Sequence, residues 1–286
     1  MQTTSTTIAA AAKKLKLQYF SAWFCPFAHR STIALEHHNQ SGTKFIDFEW
    51  QEALGWENRP PTGKEEYDAE DRKDWIYHWK SPELLKCNPL GMIPTLLEES
   101  TGRSVTESVV CIEFIDEIAR NAGSTQSPLL PLDSFEKAQA RVMAERMNKK
   151  VTSSYYTCLV REDKEERQQA FNTILSGLEE FVNYNASNVD SGNNINIVDC
   201  VLFPYAWRLY VLEHYRGFSV PQTGSTWIQY HKWLDNMSHL EHVKKTLPNV
   251  EKYLIHVEKY ASGRARSKVG NAVRRGKAAD NYADDE

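Results

Sequence analysis

With 286 residues the chain is long enough for two domains, each with its own core. It is 41% hydrophobic and 25% charged, with a net charge of -4 and a pI near 6.2, so nothing global in it attracts nucleic acid or an anionic membrane. No apolar run approaches the roughly 20 residues that a membrane helix needs.

Residues 1–14 are Thr/Ala-rich, and no acid precedes Glu36, a composition shared with organelle transit peptides. A first strand is expected from about residue 15 or 16, which leaves too little chain for such a peptide. These residues therefore read as a flexible N-terminus. Five scattered cysteines, Cys25, Cys87, Cys111, Cys158 and Cys200, form no CxxC pair and have no histidine at metal-ligand spacing. Neither a disulfide framework nor a metal site is expected, and a cytoplasmic location fits.

The strand at 15–20 runs into Ser21-Ala22-Trp23-Phe24-Cys25-Pro26-Phe27-Ala28-His29-Arg30. Proline is favoured at the first helical position, where its missing N–H costs nothing, so Cys25 becomes the N-cap of a helix over 27–39. There the positive end of the helix should favour thiolate over thiol and lower the pKa. The plainer alternative is a small buried residue at a strand-to-helix corner. A half-buried strand over 45–50 follows, which predicts a βαβ unit with a parallel pair.

Residues 51–79, centred on Arg59-Pro60-Pro61-Thr62-Gly63 and a charged run, interrupt this pattern as a long insertion. A short helix begins at Ser81-Pro82, and Pro94 then interrupts the strand-like run after Asn88-Pro89-Leu90-Gly91. That position requires a sheet edge or a special backbone such as a cis bond, which would turn the Ile93 main chain outward. Ser108 is the expected N-cap of a helix over 109–119. Glu107 beside that helix start suits the ammonium and carboxylate of an amino acid.

Residues 123–133 have linker composition, and helical periodicity dominates after them. Domain boundaries follow at 15–122 for an α/β unit and 134–261 for an all-α unit. Asn196 and Asp199 form a capping-box variant opening a buried helix over 198–212, which Pro204 must kink or adjust. Tyr253 and Tyr260 share a helical face. Residues 262–286, basic and then acidic, read as a disordered charged tail without the aromatics of a nucleic-acid binder.

Together Phe24-Cys25-Pro26-Phe27-Ala28, Asn88-Pro89-Leu90-Gly91-Met92-Ile93-Pro94, Thr106-Glu107-Ser108 and Ile197-Val198-Asp199 with Pro204, Arg208 and Leu209 resemble the omega class of glutathione transferases. The resemblance spans about 15–261 without the insertion. It implies a thioredoxin-like α/β N-terminal domain, an all-α C-terminal domain, glutathione as co-substrate, no metal, and a homodimer. By that resemblance Cys25 is catalytic, and Phe27, Ile93, Glu107 and Ser108 contact glutathione. Lys80, with Lys86 as the alternative, meets its glycyl end. Arg208, Tyr253 and Tyr260 line a hydrophobic substrate pocket.

His29 departs from the glutamine or glutamate of many omega members, and Cys25-Pro26 with Ala28-His29-Arg30 also resembles the glutathionyl-hydroquinone reductases. With no second cysteine three residues on, an external thiol must release any mixed disulfide at Cys25. The expected activity is therefore glutathione-dependent thiol transfer, reducing dehydroascorbate or mixed disulfides. Glutathionyl-hydroquinone reduction and a non-catalytic binding module are the alternatives, and neither nucleic acid nor membrane is an expected partner.

Overall fold

The computed structural model describes residues 15–42, 44–58, 75–184 and 194–281. The N-terminal residues expected to be flexible and the middle of the insertion, 59–74, lie outside the described residues. The chain folds as a thioredoxin-like α/β domain followed by a helical domain.

Strand β1 (Lys16–Ser21) leads into helix α1 (Pro26–His38), and β2 (Asp47–Glu52) returns parallel to β1, with Lys16 opposite Asp47. The expected βαβ unit is therefore present, its second strand shifted two residues along. Strands β5 (Thr95–Glu98) and β6 (Ser104–Thr106) add antiparallel neighbours, giving the order β2-β1-β5-β6. Buried Leu17 and Tyr19 lie on the same face of β1, as the strand's period of two requires. The Tyr19 hydroxyl donates to Ala28 O at 2.6 Å, fixing α1 to the strand that feeds it.

The described ends of the insertion build a second sheet. Strands β3 (Leu54–Glu57) and β4 (Ile76–Lys80) pair antiparallel, and β7 (Ala265–Arg266), from the far end of the chain, pairs parallel to β4. For residues 262–281 the expectation of a disordered tail is thereby corrected, while residues 282–286 lie outside the described residues. Ala265, Val269, Ala272, Val273 and Ala279 are buried, and helix α12 (Lys268–Arg274) starts at Ser267, whose Oγ accepts from Gly270 N. Small apolar residues among the charges carry this segment, a spacing that overall charge conceals.

The short helix α2 (Pro82–Cys87) precedes β5, and α3 (Ser108–Asn121) packs beside α1. Asp116 of α3 accepts from Leu129 N at 2.8 Å and from His38 Nε2 at 3.1 Å, fastening the 123–133 connection to the first domain. The helical domain comprises α4 (Ser134–Met147), a π-helical stretch (Asn148–Ser153), α5 (Ser154–Val160), α6 (Lys164–Tyr184), α7 (Ile197–Ala206), α8 (Leu209–Arg216), α9 (Ser225–His239), α10 (Glu241–Lys244) and α11 (Val250–Ala261). Asn196 and Asp199 form the expected capping box, and Asp199 Oδ1 also accepts from Trp233 Nε1 at 2.9 Å. The helix expected over 198–212 divides after Ala206: Arg208 N donates to Tyr205 O, and Pro204 O accepts from Arg208 Nη1 in place of the regular backbone bond.

Candidate functional site

Cys25 sits where β1 gives way to α1. It is the N-cap, with extended backbone at φ -77° and ψ 116°, and Pro26 opens the helix. Its sulfur borders a cavity of about 280 Å³ walled by Phe27, Tyr156, Tyr253 and Tyr260. The roof is the second sheet and α12, which contribute Tyr77, His78, Ser267 and Val269. Tyr260 donates to Ser267 Oγ at 2.9 Å, so the C-terminal segment is hydrogen-bonded to the wall it covers.

The expected depression of the Cys25 pKa is not found. Burial pushes the thiol up, against the amides of Phe27 and Ala28 and the guanidinium groups of Arg208 and Arg30, which pull it down. Desolvation of the sulfur outweighs the first-turn amides and the two guanidinium groups together.

The surrounding rings are also held neutral. Burial, reinforced by neighbouring cations, lowers the His256 pKa to about 2, and its Nε2 accepts from Trp56 Nε1 at 3.2 Å. Burial and Arg208 hold His29 well below its ordinary value. Arg208 Nη1 donates to His29 Nδ1 at 3.0 Å, which leaves Nε2 as the protonated nitrogen, donating to Thr246 Oγ1 at 2.7 Å.

A second cavity of about 250 Å³ lies against the N-terminus of α3, and Phe27 and Ile93 border both cavities. The Ile93-Pro94 bond is cis, one of the two backbones expected there. Glu107 and Ser108 line this second cavity, but their parts differ from expectation. Glu107, at φ 68°, occupies the cap position, and Ser108 is the first helical residue, its Oγ accepting from Arg30 Nη1 at 3.0 Å.

Lys80 borders the first cavity and donates to Leu90 O at 2.8 Å as it crosses Gly91. At Gly91 the backbone has φ +60°, and a Cβ would lie 2.4 Å from Lys80 Cδ, so glycine is needed on both counts. Lys86, the alternative, borders neither cavity.

Seven expected contacts thus come together with Cys25: Phe27, Lys80, Ile93, Glu107, Ser108, Tyr253 and Tyr260. Arg208 does not join them at the surface. It is wholly buried one layer behind the wall, its guanidinium 4.7 Å from the Tyr253 ring, donating to Pro204 O at 2.7 Å and to His29. The helix break after Ala206 turns the side chain inward.

Sequence reasoning gives Arg30 no role. Arg30 borders the second cavity, donating from Nε to Val201 O and from Nη2 to Asn148 Oδ1 and Thr152 Oγ1. Asn148 and Thr152 belong to the π-helical stretch, an irregularity common at functional sites. No local sequence signal marks either. Among the described residues, no group of three or more His, Cys, Asp or Glu could hold a metal ion.

Residues 24–118 match the family described as Glutathione S-transferase, N-terminal domain. The probable glutathione S-transferase parA of Nicotiana tabacum is 33% identical over 177 residues, 60% of this chain and 75% of that protein. Glutathione S-transferase omega-1 of Rattus norvegicus is 26% identical over 200 residues, 69% of each chain. The crystal structure of rice GST1 (OsGSTU1) in complex with glutathione has a TM-score of 0.65 at 24% identity, covering 88% of this chain and 98% of that one, a likeness of fold. The chain belongs to the glutathione S-transferase family. Its relatives include both plant proteins and an omega-named one.

Proposed function

We propose that this chain is a glutathione-dependent thiol transferase of the omega type, with Cys25 as its nucleophile. The observation that carries the reading is a thiol at the start of α1, bordering a cavity that shares Phe27 and the Ile93 backbone with the cavity at Glu107 and Ser108. A tripeptide fits across that boundary, its γ-glutamyl end at α3, its cysteinyl main chain along Ile93 and its glycyl carboxylate toward Lys80. The rice structure, which contains glutathione, supports the same choice of ligand.

The chemistry follows from the sulfur. The Cys25 thiolate attacks the glutathione sulfur of a mixed disulfide R–S–SG, forming Cys25–S–SG and releasing RS⁻. A second glutathione thiolate then attacks the glutathione sulfur of that intermediate, giving GSSG and restoring the Cys25 thiolate. The net change converts R–S–SG and one free glutathione into RSH and GSSG, so the electron pair that releases RS⁻ comes from that free glutathione thiolate, and the proton it loses ends on RS⁻ by way of solvent.

Cys25→Ala should abolish reduction of a glutathionylated peptide; wild-type rates in that variant would refute the mechanism. One observation favours the alternative of a non-catalytic binding module: burial raises the thiol pKa, where a reductase benefits from a lowered one. Glutathione titration with turnover assays separates the two, because a module binds without turning over. The exposed apolar residues Val110 of α3 and Phe135 and Val142 of α4 support a homodimer, and five unpaired cysteines support a reducing, cytoplasmic setting.

A further inference from the structure

The cavity at α3 has two charged sides that the glutathione reading leaves unassigned. On one side Arg30 is wholly buried, yet all four of its acceptors are neutral: Val201 O, Ser108 Oγ, Asn148 Oδ1 and Thr152 Oγ1. None of the ion pairs found among the described residues includes it. A buried guanidinium that makes no direct ion pair and is opposed only by the Asp280 carboxylate across the cavity is placed to receive an anion.

On the other side stands Asp280, on the C-terminal segment beyond α12. Asn148 Nδ2 donates to Asp280 Oδ2 at 2.9 Å, while the same amide's Oδ1 accepts from Arg30 at 3.0 Å. One asparagine therefore sets the separation between a cation and a carboxylate across the cavity. The neighbouring Ala279 is wholly buried, which anchors the backbone that carries Asp280. A fixed pair of opposite charges matches a ligand group bearing opposite charges a few ångströms apart, and an α-amino acid terminus is such a group.

We infer that Asp280 is a ligand-binding residue that takes the α-ammonium of the γ-glutamyl group, while the α-carboxylate faces Arg30 and the first-turn amides of α3. The inference rests on glutathione being the ligand. Glu107 and Glu145 also border the cavity, but neither is bound to the amide that positions Arg30. The residue lies some 160 positions beyond the region matched by the N-terminal family, so the inference concerns a part of the site particular to the C-terminal segment.

Calorimetric titration of the full chain with reduced glutathione, and with an analogue whose γ-glutamyl group is replaced by glutaryl, tests it. In the wild type the analogue, lacking the ammonium, should bind about tenfold more weakly than glutathione. Asp280→Asn should weaken glutathione by a similar factor and leave the analogue unchanged, and Asp280→Glu should restore part of the loss. If Asp280→Asn weakens both ligands alike, or neither, the assignment of Asp280 is overturned while the glutathione reading stands. If the wild type binds neither ligand, both fall.

Discussion

The sulfur of Cys25 shows two opposing effects of position at one atom. A helix start stabilises a thiolate, and burial among aromatic rings destabilises it; here burial prevails. The alkylation rate of Cys25 by iodoacetamide should therefore rise with pH and reach its midpoint above the ordinary thiol value of about 8.5 in the ligand-free protein. A midpoint below 7 would contradict that balance. Gly91 makes a second claim at this scale. Gly91→Ala must adopt φ +60° and displace the Lys80 side chain, so it should cost roughly 1 kcal/mol or more in urea unfolding and weaken glutathione binding through Lys80.

Among the elements, α7 depends on its first turn. Asn196→Ala removes the acceptor for Val198 N and Asp199 N and should cost about 1 kcal/mol. Asp199→Ala loses the reciprocal bond to Asn196 N and also strands the buried Trp233 indole N–H, so its cost should be larger, roughly 2 kcal/mol or more. Denaturant titration of the two variants checks the order. The same contrast explains what the sequence revealed. The Cys25-Pro26 junction, the Asn196 box and the unusual backbone at Pro94 are each specified by residues adjacent in the chain. The pairing of β7 with β4 joins residues nearly 190 apart, and nothing in a run of arginines names its partner. Arg208 faces inward because a helix divides just before it, and the Cys25 pKa depends on rings contributed by α5 and α11. Long-range packing decides such features, and local pattern does not register it.

At the scale of the whole molecule, several histidines are buried in the neutral form. Burial lowers His37 and His242 to about 4 and His256 to about 2, all below the unfolded value of about 6.5. The unfolded chain therefore binds more protons than the folded one below pH 6.5. Stability is full above that pH and falls as pH drops from 6.5 toward 4, by up to about 1.4 kcal/mol per pH unit for each such histidine. Melting temperature measured across this window should fall steadily, and a flat profile would show that these rings are hydrated. Removal of residues 262–281 should lower stability too, since it exposes the buried faces of β4 and α12's neighbours and takes Ser267 from Tyr260.

The parallel pairing of β7 on β4 also fixes an order of events during synthesis. A ribosome delivers the thiol and its helix early, and N-terminal units generally fold first. The third strand of the second sheet is translated some 240 residues after Cys25. Until residues 265–281 emerge, the nascent chain carries the Cys25 thiol beneath an unfinished roof, and the cavity around that sulfur is complete only when the last strand docks.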